Sequence, residues 1–244
     1  MQKFFVDDNQ IENDTINIIG TDVNHIINVL RLKQDDKIQI CNIQTSKNYI
    51  VKISEYNKEK VVCKILEVIN SNTETKINLT LFQGLPKADK MELIIQKTTE
   101  IGIKEIVPVA MERSIVKLDQ KDSKKKVERW QKIAEVASKQ SKRDIIPNIG
   151  NVIKISELYD KIKEYDLFIV AYENEKETKL KQIIENSKAK NIAVLIGPEG
   201  GIDDKEIDNL IKNGAISITL GNRILRTETA PIVITSNIIY ELED

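Results

Sequence analysis

Two short stretches of the chain hold residue types able to do chemistry at close quarters. "IGPEGG" (196–201) and "LGNRILRTETAP" (220–231) each close a short apolar run, and together they contain four of the nine glycines in 244 residues. Glycine lets backbone approach a ligand closely and permits positive φ. Gly197, Gly200 and Gly201, with Pro198 and Glu199 among them, therefore describe a tight turn with a carboxylate at its tip. The second stretch ends a strand at Leu220, turns at Gly221 and places Arg223 and Arg226 around the apolar pair Ile224 and Leu225. A helix opens next, with Thr227 or Thr229 as its cap and Pro231 in its first turn. Such a loop can offer backbone N–H and C=O groups to the edge of an adenine ring while apolar side chains flank its faces. A plain connection with surface arginines is the alternative, but it accounts for neither the apolar pair nor the caps. Neither stretch has the G-x-G-x-x-G or G-x-x-x-x-G-K-[ST] pattern, which disfavours a dinucleotide or triphosphate cradle.

Other chemistries are disfavoured by what is scarce. His25 is the only histidine, and Cys41 and Cys63 stand alone. A Ser-His-Asp hydrolase, a multi-histidine metal site and a disulfide framework all find little support, and no metal is expected. A reducing, cytoplasmic setting fits. With 41% hydrophobic and 31% charged residues, the chain reads as a soluble globular protein. Its opening residues turn acidic after three apolar positions, unlike a secretory leader. The late apolar run at 229–240 is about half the length of a membrane span.

Net charge is −1, yet from Arg113 to Arg143 eleven Lys and Arg stand against four Asp and Glu. A local excess of this size can attract phosphates whatever the overall balance. Arg113, Lys124, Lys125, Lys126, Lys142 and Arg143 are the candidate RNA-binding residues of this segment, and Arg31 and Lys33 extend the set. A solvated charged helix accounts for the run equally well.

The elements that must position these residues fall into two textures. Residues 1–72 read as strands with one helix at 21–32, and the polar stretch 70–76 marks the junction. Residues 73–244 alternate strands, at "INLTLFQG", "EIVPVA", "DLFIVAY", "NIAVLIG" and "AISITL", with helices. Among those helices, "SKKKVERWQKIAEVASKQS" carries a stripe of Val127, Trp130, Ala134 and Ala137. Alternation of this kind predicts an α/β domain with a mainly parallel sheet covered on both faces. Ligands bind such sheets at the carboxyl ends of the strands, where both glycine-bearing stretches fall.

Six segments in order along the chain carry a resemblance: "HIINVLRLKQDD" (25–36), "KADKMELIIQKTTEIGI" (87–103), "ERS" (112–114), "RWQKIAEVASKQSKR" (129–143), "LIGPEGG" (195–201) and "LGNRILRTETA" (220–230). They resemble the SPOUT superfamily of α/β-knot methyltransferases, and within it the RsmE-type enzymes that methylate N3 of a uridine in 16S ribosomal RNA. One departure is visible: the family usually has Gly-Asp where this chain has Asp35-Asp36.

The resemblance implies a small PUA-like RNA-binding β-barrel over 1–72 and a trefoil-knot methyltransferase domain over 73–244. S-adenosylmethionine would be held by Gly197, Pro198, Glu199, Gly200, Gly201, Leu220, Gly221, Ile224, Leu225 and Thr229. The partners implied are the small ribosomal subunit and a second copy of the chain. The helix "APIVITSNIIYEL", apolar around most of its circumference, suits a homodimer. Arg226, and after it Arg223, would stabilise negative charge developing on the uracil, as catalytic residues. Glu199, Glu228, Tyr172 or water remain open as the base. A SPOUT enzyme acting on another ribosomal or transfer RNA position, and a non-catalytic assembly factor, are the alternatives.

Overall fold

The computed structural model describes residues 1–243 and divides into two compact units. The first comprises Met1–Glu74 with Ser138–Ile146, and the second Thr75–Ala137 with the residues from Pro147 onward. The chain thus returns to the first unit in its middle, where a linear cut at 72 assigns 138–146 to the second domain.

The first unit holds β1 (Lys3–Val6), β2 (Ile11–Glu12), β3 (Thr15–Ile19), the single turn α1 (Thr21–Asn24), β4 (Lys37–Asn42), β5 (Asn48–Tyr56) and β6 (Lys60–Ile69). The sheet order is β1-β4-β5-β6-β3-β2, with β1 parallel to β4 and the other pairs antiparallel. Alternation along the strands sends Ile38, Ile40, Val51, Ile53, Val61 and Cys63 into one core with Phe4, Ile16 and Ile18. The helix expected at 21–32 is instead one α turn followed by a π turn at His25–Val29. Val23 in the α turn and Ile26 in the π turn both reach the core, and the chain leaves this segment through Arg31 at φ 54°. Asp35 stands at φ 72°, the left-handed conformation that glycine adopts most readily. The family's usual Gly at that position is thereby accounted for, and Asp35 is ion-paired to Lys52 at 2.8 Å.

Segment 138–146 is tied into this unit by buried charge. Glu74 accepts hydrogen bonds from Arg143 Nη2 at 2.6 Å and from the N–H groups of Asp144 and Ile145 at 2.8 and 3.2 Å. Asp144 in turn accepts from Lys3 Nζ and, at 2.8 Å, from Asn48 Nδ2. Burial pushes the Asp144 carboxyl up, but its bonds to Lys3, Ser71 and Asn48 outweigh that and hold it below the usual carboxylate range.

The second unit runs β7 (Asn78–Gly84), α2 (Lys90–Ile101), β8 (Glu105–Ala110), α3 (Gln120–Ser141, of which residues from 138 on belong to the first unit), β9 (Asn148–Ile149), β10 (Ile153–Lys154), α4 (Ile155–Tyr159), β11 (Leu167–Ala171), α5 (Leu180–Ile184), β12 (Asn191–Ile196), α6 (Asp204–Lys212), β13 (Ile216–Ile218) and α7 (Ala230–Leu242). Its strands pair in parallel in the order β10-β8-β7-β12-β11-β13, with β9 also beside β8. Buried on both faces, β12 reads as a continuous apolar run, as a central parallel strand should. The α3 stripe packs inward through Trp130, Ala134 and Ala137. Among the described residues no helix is long and apolar enough to cross a membrane.

Candidate active site

Sheet order brings three strand ends together. β11 lies between β12 and β13, so the segment after β11 joins the two glycine-bearing loops. They enclose a cavity of about 850 Å³ lined by residues 171–173, Glu175, Lys176, 196–201, 219–227, Ala230 and Lys90. Gly197, Pro198, Glu199, Gly200, Gly201, Leu220, Gly221, Arg223, Ile224, Leu225 and Arg226 all line it. Thr229 is not among them. It holds the N-cap position of α7, makes no side-chain cap bond, and donates its N–H to Arg226 O. Thr227 lines the wall instead, donating to Gly197 O at 2.7 Å and accepting from Gln83 Nε2 at 3.1 Å. One hydroxyl thereby joins the two loops to the end of β7.

The glycines act in different ways. Gly221 lines the cavity at φ 110°, and a Cβ there would meet nothing within 4 Å. At Gly201, with φ 75°, a Cβ would run into the Glu173 carboxylate. Gly200 does not have positive φ; it is needed because its Cβ position lies 3.0 Å from both Cβ and O of Arg113. Among the described residues the N–H groups of Asn222, Arg223, Ile224 and Leu225 donate to no other protein group. Ile224, at the rim, is 87% exposed.

A charge cluster lies at the cavity wall. Lys90 Nζ is 2.9 Å from Glu199 Oε1 and 3.1 Å from Glu228 Oε2, and Glu228 Oε1 is 3.9 Å from Arg226 Nη1. The neighbouring carboxylates of Glu199 and then Glu228 raise the Lys90 pKa. Burial pushes both carboxyls up, yet Lys90 and backbone N–H groups more than compensate and hold each below its ordinary value. Both are therefore anions, and weak bases. The Tyr172 hydroxyl donates to Asp204 Oδ1 at 3.2 Å and accepts from Asn174 Nδ2 at 3.0 Å.

The basic candidates separate. Arg31, Lys33, Lys124, Lys125, Lys126 and Lys142 are exposed. Lys126 lies over the Trp130 ring, 5.9 Å from its centroid. Arg113 is exposed but engaged with Asp203 Oδ2 at 3.3 Å. Arg143 is a correction: it is 2% exposed and bound to Glu74, so its charge is neutralised inside the first unit and is not offered to phosphate.

The family model of the RNA methyltransferase domain matches residues 73–239, and that of the RNA methyltransferase PUA domain matches 18–66. The chain belongs to the RNA methyltransferase family. Its fold is the α/β-knot class of the SPOUT enzymes with a PUA-like N-terminal domain. The ribosomal RNA small subunit methyltransferase E of Bacillus subtilis is 38% identical, the match covering 100% of this chain and 98% of that protein. The protein of the same name from Mesomycoplasma hyopneumoniae is 35% identical over 99% of this chain and 100% of its own length. The crystal structure of the Neisseria gonorrhoeae ribosomal RNA small subunit methyltransferase E, bound to S-adenosylmethionine, superposes with a TM-score of 0.87 at 31% identity, covering 98% of this chain and 96% of that one.

Proposed function

We propose that this protein transfers the methyl group of S-adenosylmethionine to N3 of a uridine in 16S ribosomal RNA of the small subunit, acting in the cytoplasm as a homodimer. The observation that carries the reading is Gly221: at a positive φ open to glycine, it turns a loop of free N–H groups onto the cavity that the loop lines. Ile196, Ile224, Leu225 and Ala230 supply apolar contact, and the 222–225 amides supply donors, as an adenosine with a polar tail requires.

S-adenosylmethionine supplies an already activated methyl group, so the work left to the protein is alignment and activation of the acceptor. Uridine N3 carries a proton, and its loss leaves negative charge on the flanking oxygens. Arg226, whose side chain is 80% exposed beside the cavity, is the donor for that charge, with Arg223 second. Glu199 and Glu228 are ion-paired to Lys90 and serve as structural anions, and solvent hydroxide takes the N3 proton, forming water. The exposed lysines 124–126 attract phosphate, and 1–72 act as the RNA-binding PUA-like domain and 73–244 as the methyltransferase domain. Tyr240, 81% exposed on α7, and the half-buried Ile232 and Val233 of the same helix support a subunit contact there.

Gly221→Val tests the site. A β-branched residue at φ 110° is strained and must shift the loop that lines the cavity. Calorimetry should show S-adenosylmethionine binding to the parent protein and none to the variant. Equal affinity in both contradicts the assignment.

A further inference from the structure

Lys90 lies outside both glycine-bearing loops, at the first position of α2. Of its two carboxylate partners, Glu199 lines the cavity within 196–201, and Glu228 follows directly after the lining residues 219–227. The side chains of Lys90, Glu199 and Glu228 are 28%, 24% and 16% exposed, so all three are largely withdrawn from water. Glu199 is also held by the Lys87 N–H at 3.1 Å, from the turn that leads into α2. Glu228 reaches Arg226 with its other oxygen. Remove the ammonium, and Glu199 keeps the Lys87 N–H while Glu228 keeps only the 3.9 Å contact with Arg226 as a side-chain partner.

We infer that Lys90 is a positioning residue of this site, its ammonium tying the two loops together and turning Glu228 toward Arg226. The inference rests on the reading of the cavity as the S-adenosylmethionine site. Lys90 then acts at two points along one chain of interactions. Through Glu199 and Glu228 it sets the spacing of the walls, which governs cofactor affinity. Through Glu228 it sets the guanidinium of Arg226, which governs the rate once RNA and cofactor are bound. The Thr227 hydroxyl, bonded to Gly197 O, ties the same loops and by itself reaches neither carboxylate.

Lys90→Met keeps the unbranched stem and removes only the charge. Its calorimetric affinity for S-adenosylmethionine should fall roughly 10-fold, the scale of coupling between groups in one ion network. Its single-turnover rate at saturating cofactor should fall by about a further 10-fold. The melting temperature without cofactor should stay near that of the parent. Lys90→Arg, which can fork to both carboxylates, should return affinity and rate to within about 3-fold. Unchanged affinity and rate in Lys90→Met overturn the inference, as does a Lys90→Arg variant no better than Lys90→Met. If the parent itself binds no S-adenosylmethionine, the cofactor reading falls and the inference with it.

Discussion

In the first unit Arg143 and Lys3 are buried against Glu74 and Asp144, while at the cavity Lys90 and Arg226 meet Glu199 and Glu228 within reach of solvent. The residue types are the same and the environments differ. Every charge in the buried set is closed off by a partner, with Asn48 and two backbone N–H groups completing the acceptors. In the cavity set the pairing is graded, from Lys90 at 2.9 Å to Arg226 at 3.9 Å with its side chain 80% exposed. A buried ion network fixes chain segments because none of its members can leave without stranding another. A graded, half-open one leaves a cation free to meet new charge.

The largest effect should come from breaking the buried set. Lys3→Met strands Asp144, and removing one partner of a buried pair costs about 3–5 kcal/mol. Denaturant unfolding should register that destabilisation, with S-adenosylmethionine affinity unchanged in the folded protein. The same network gives the parent an acid limit. Asp144 is depressed in the fold from its ordinary 3.8, so its contribution is complete above that value and is lost as pH falls through the lower folded-state pKa. Asp144→Asn should flatten that part of the stability profile.

Next in size is the open cation. Arg226→Ala should bind S-adenosylmethionine within a few-fold of the parent and yet react about 10²–10³ more slowly, roughly 3–4 kcal/mol of transition-state stabilisation. Single-turnover rates against pH should recover in part at high pH, where more uridine is already deprotonated. Affinity and rate falling together, without that recovery, would make Arg226 a loop-shaping residue like its buried counterparts.

The smallest effect belongs to the fully solvated cations. Neutralising Lys124, Lys125 and Lys126 should reduce the slope of log K for RNA against log salt by roughly 0.7–0.9 for each phosphate that is no longer neutralised. Cofactor affinity should stay as it is. Adding Arg143→Gln should leave that slope alone, since Arg143 faces Glu74 and not solvent.

Much of this was legible in the chain. Strand-helix alternation predicts the parallel sheet because apolar runs of strand length are hard to bury otherwise, and the two glycine-bearing stretches fall at strand ends as expected. What a linear reading misses is neighbourhood. The β11 end, with Tyr172, Glu173, Glu175 and Lys176, joins the cavity because β11 pairs between β12 and β13, an order that periodicity does not encode. Lys90 looks like any helix-start lysine until two loops more than a hundred residues away close on it. Arg143 sits in a run of exposed cations, and its burial depends on Glu74 across a long return of the chain. Thr227 and Thr229 are both plausible caps in sequence, and the structure gives one the loop junction and the other the helix start. The π turn at His25–Val29 takes the place of a regular helix although Val23, Ile26, Ile27 and Leu30 are at helical spacing, which is why the spacing alone does not reveal it.

The most direct test of the account is to map the methyl group itself. Small-subunit 16S ribosomal RNA lacking the modification is incubated with the protein and S-adenosylmethionine, digested to nucleosides and fragments, and examined by mass spectrometry. One methyl group at N3 of a single uridine is predicted, present with the parent protein and absent with Gly221→Val. A methyl group on ribose or on another base, or transfer by Gly221→Val at the parent rate, would contradict it.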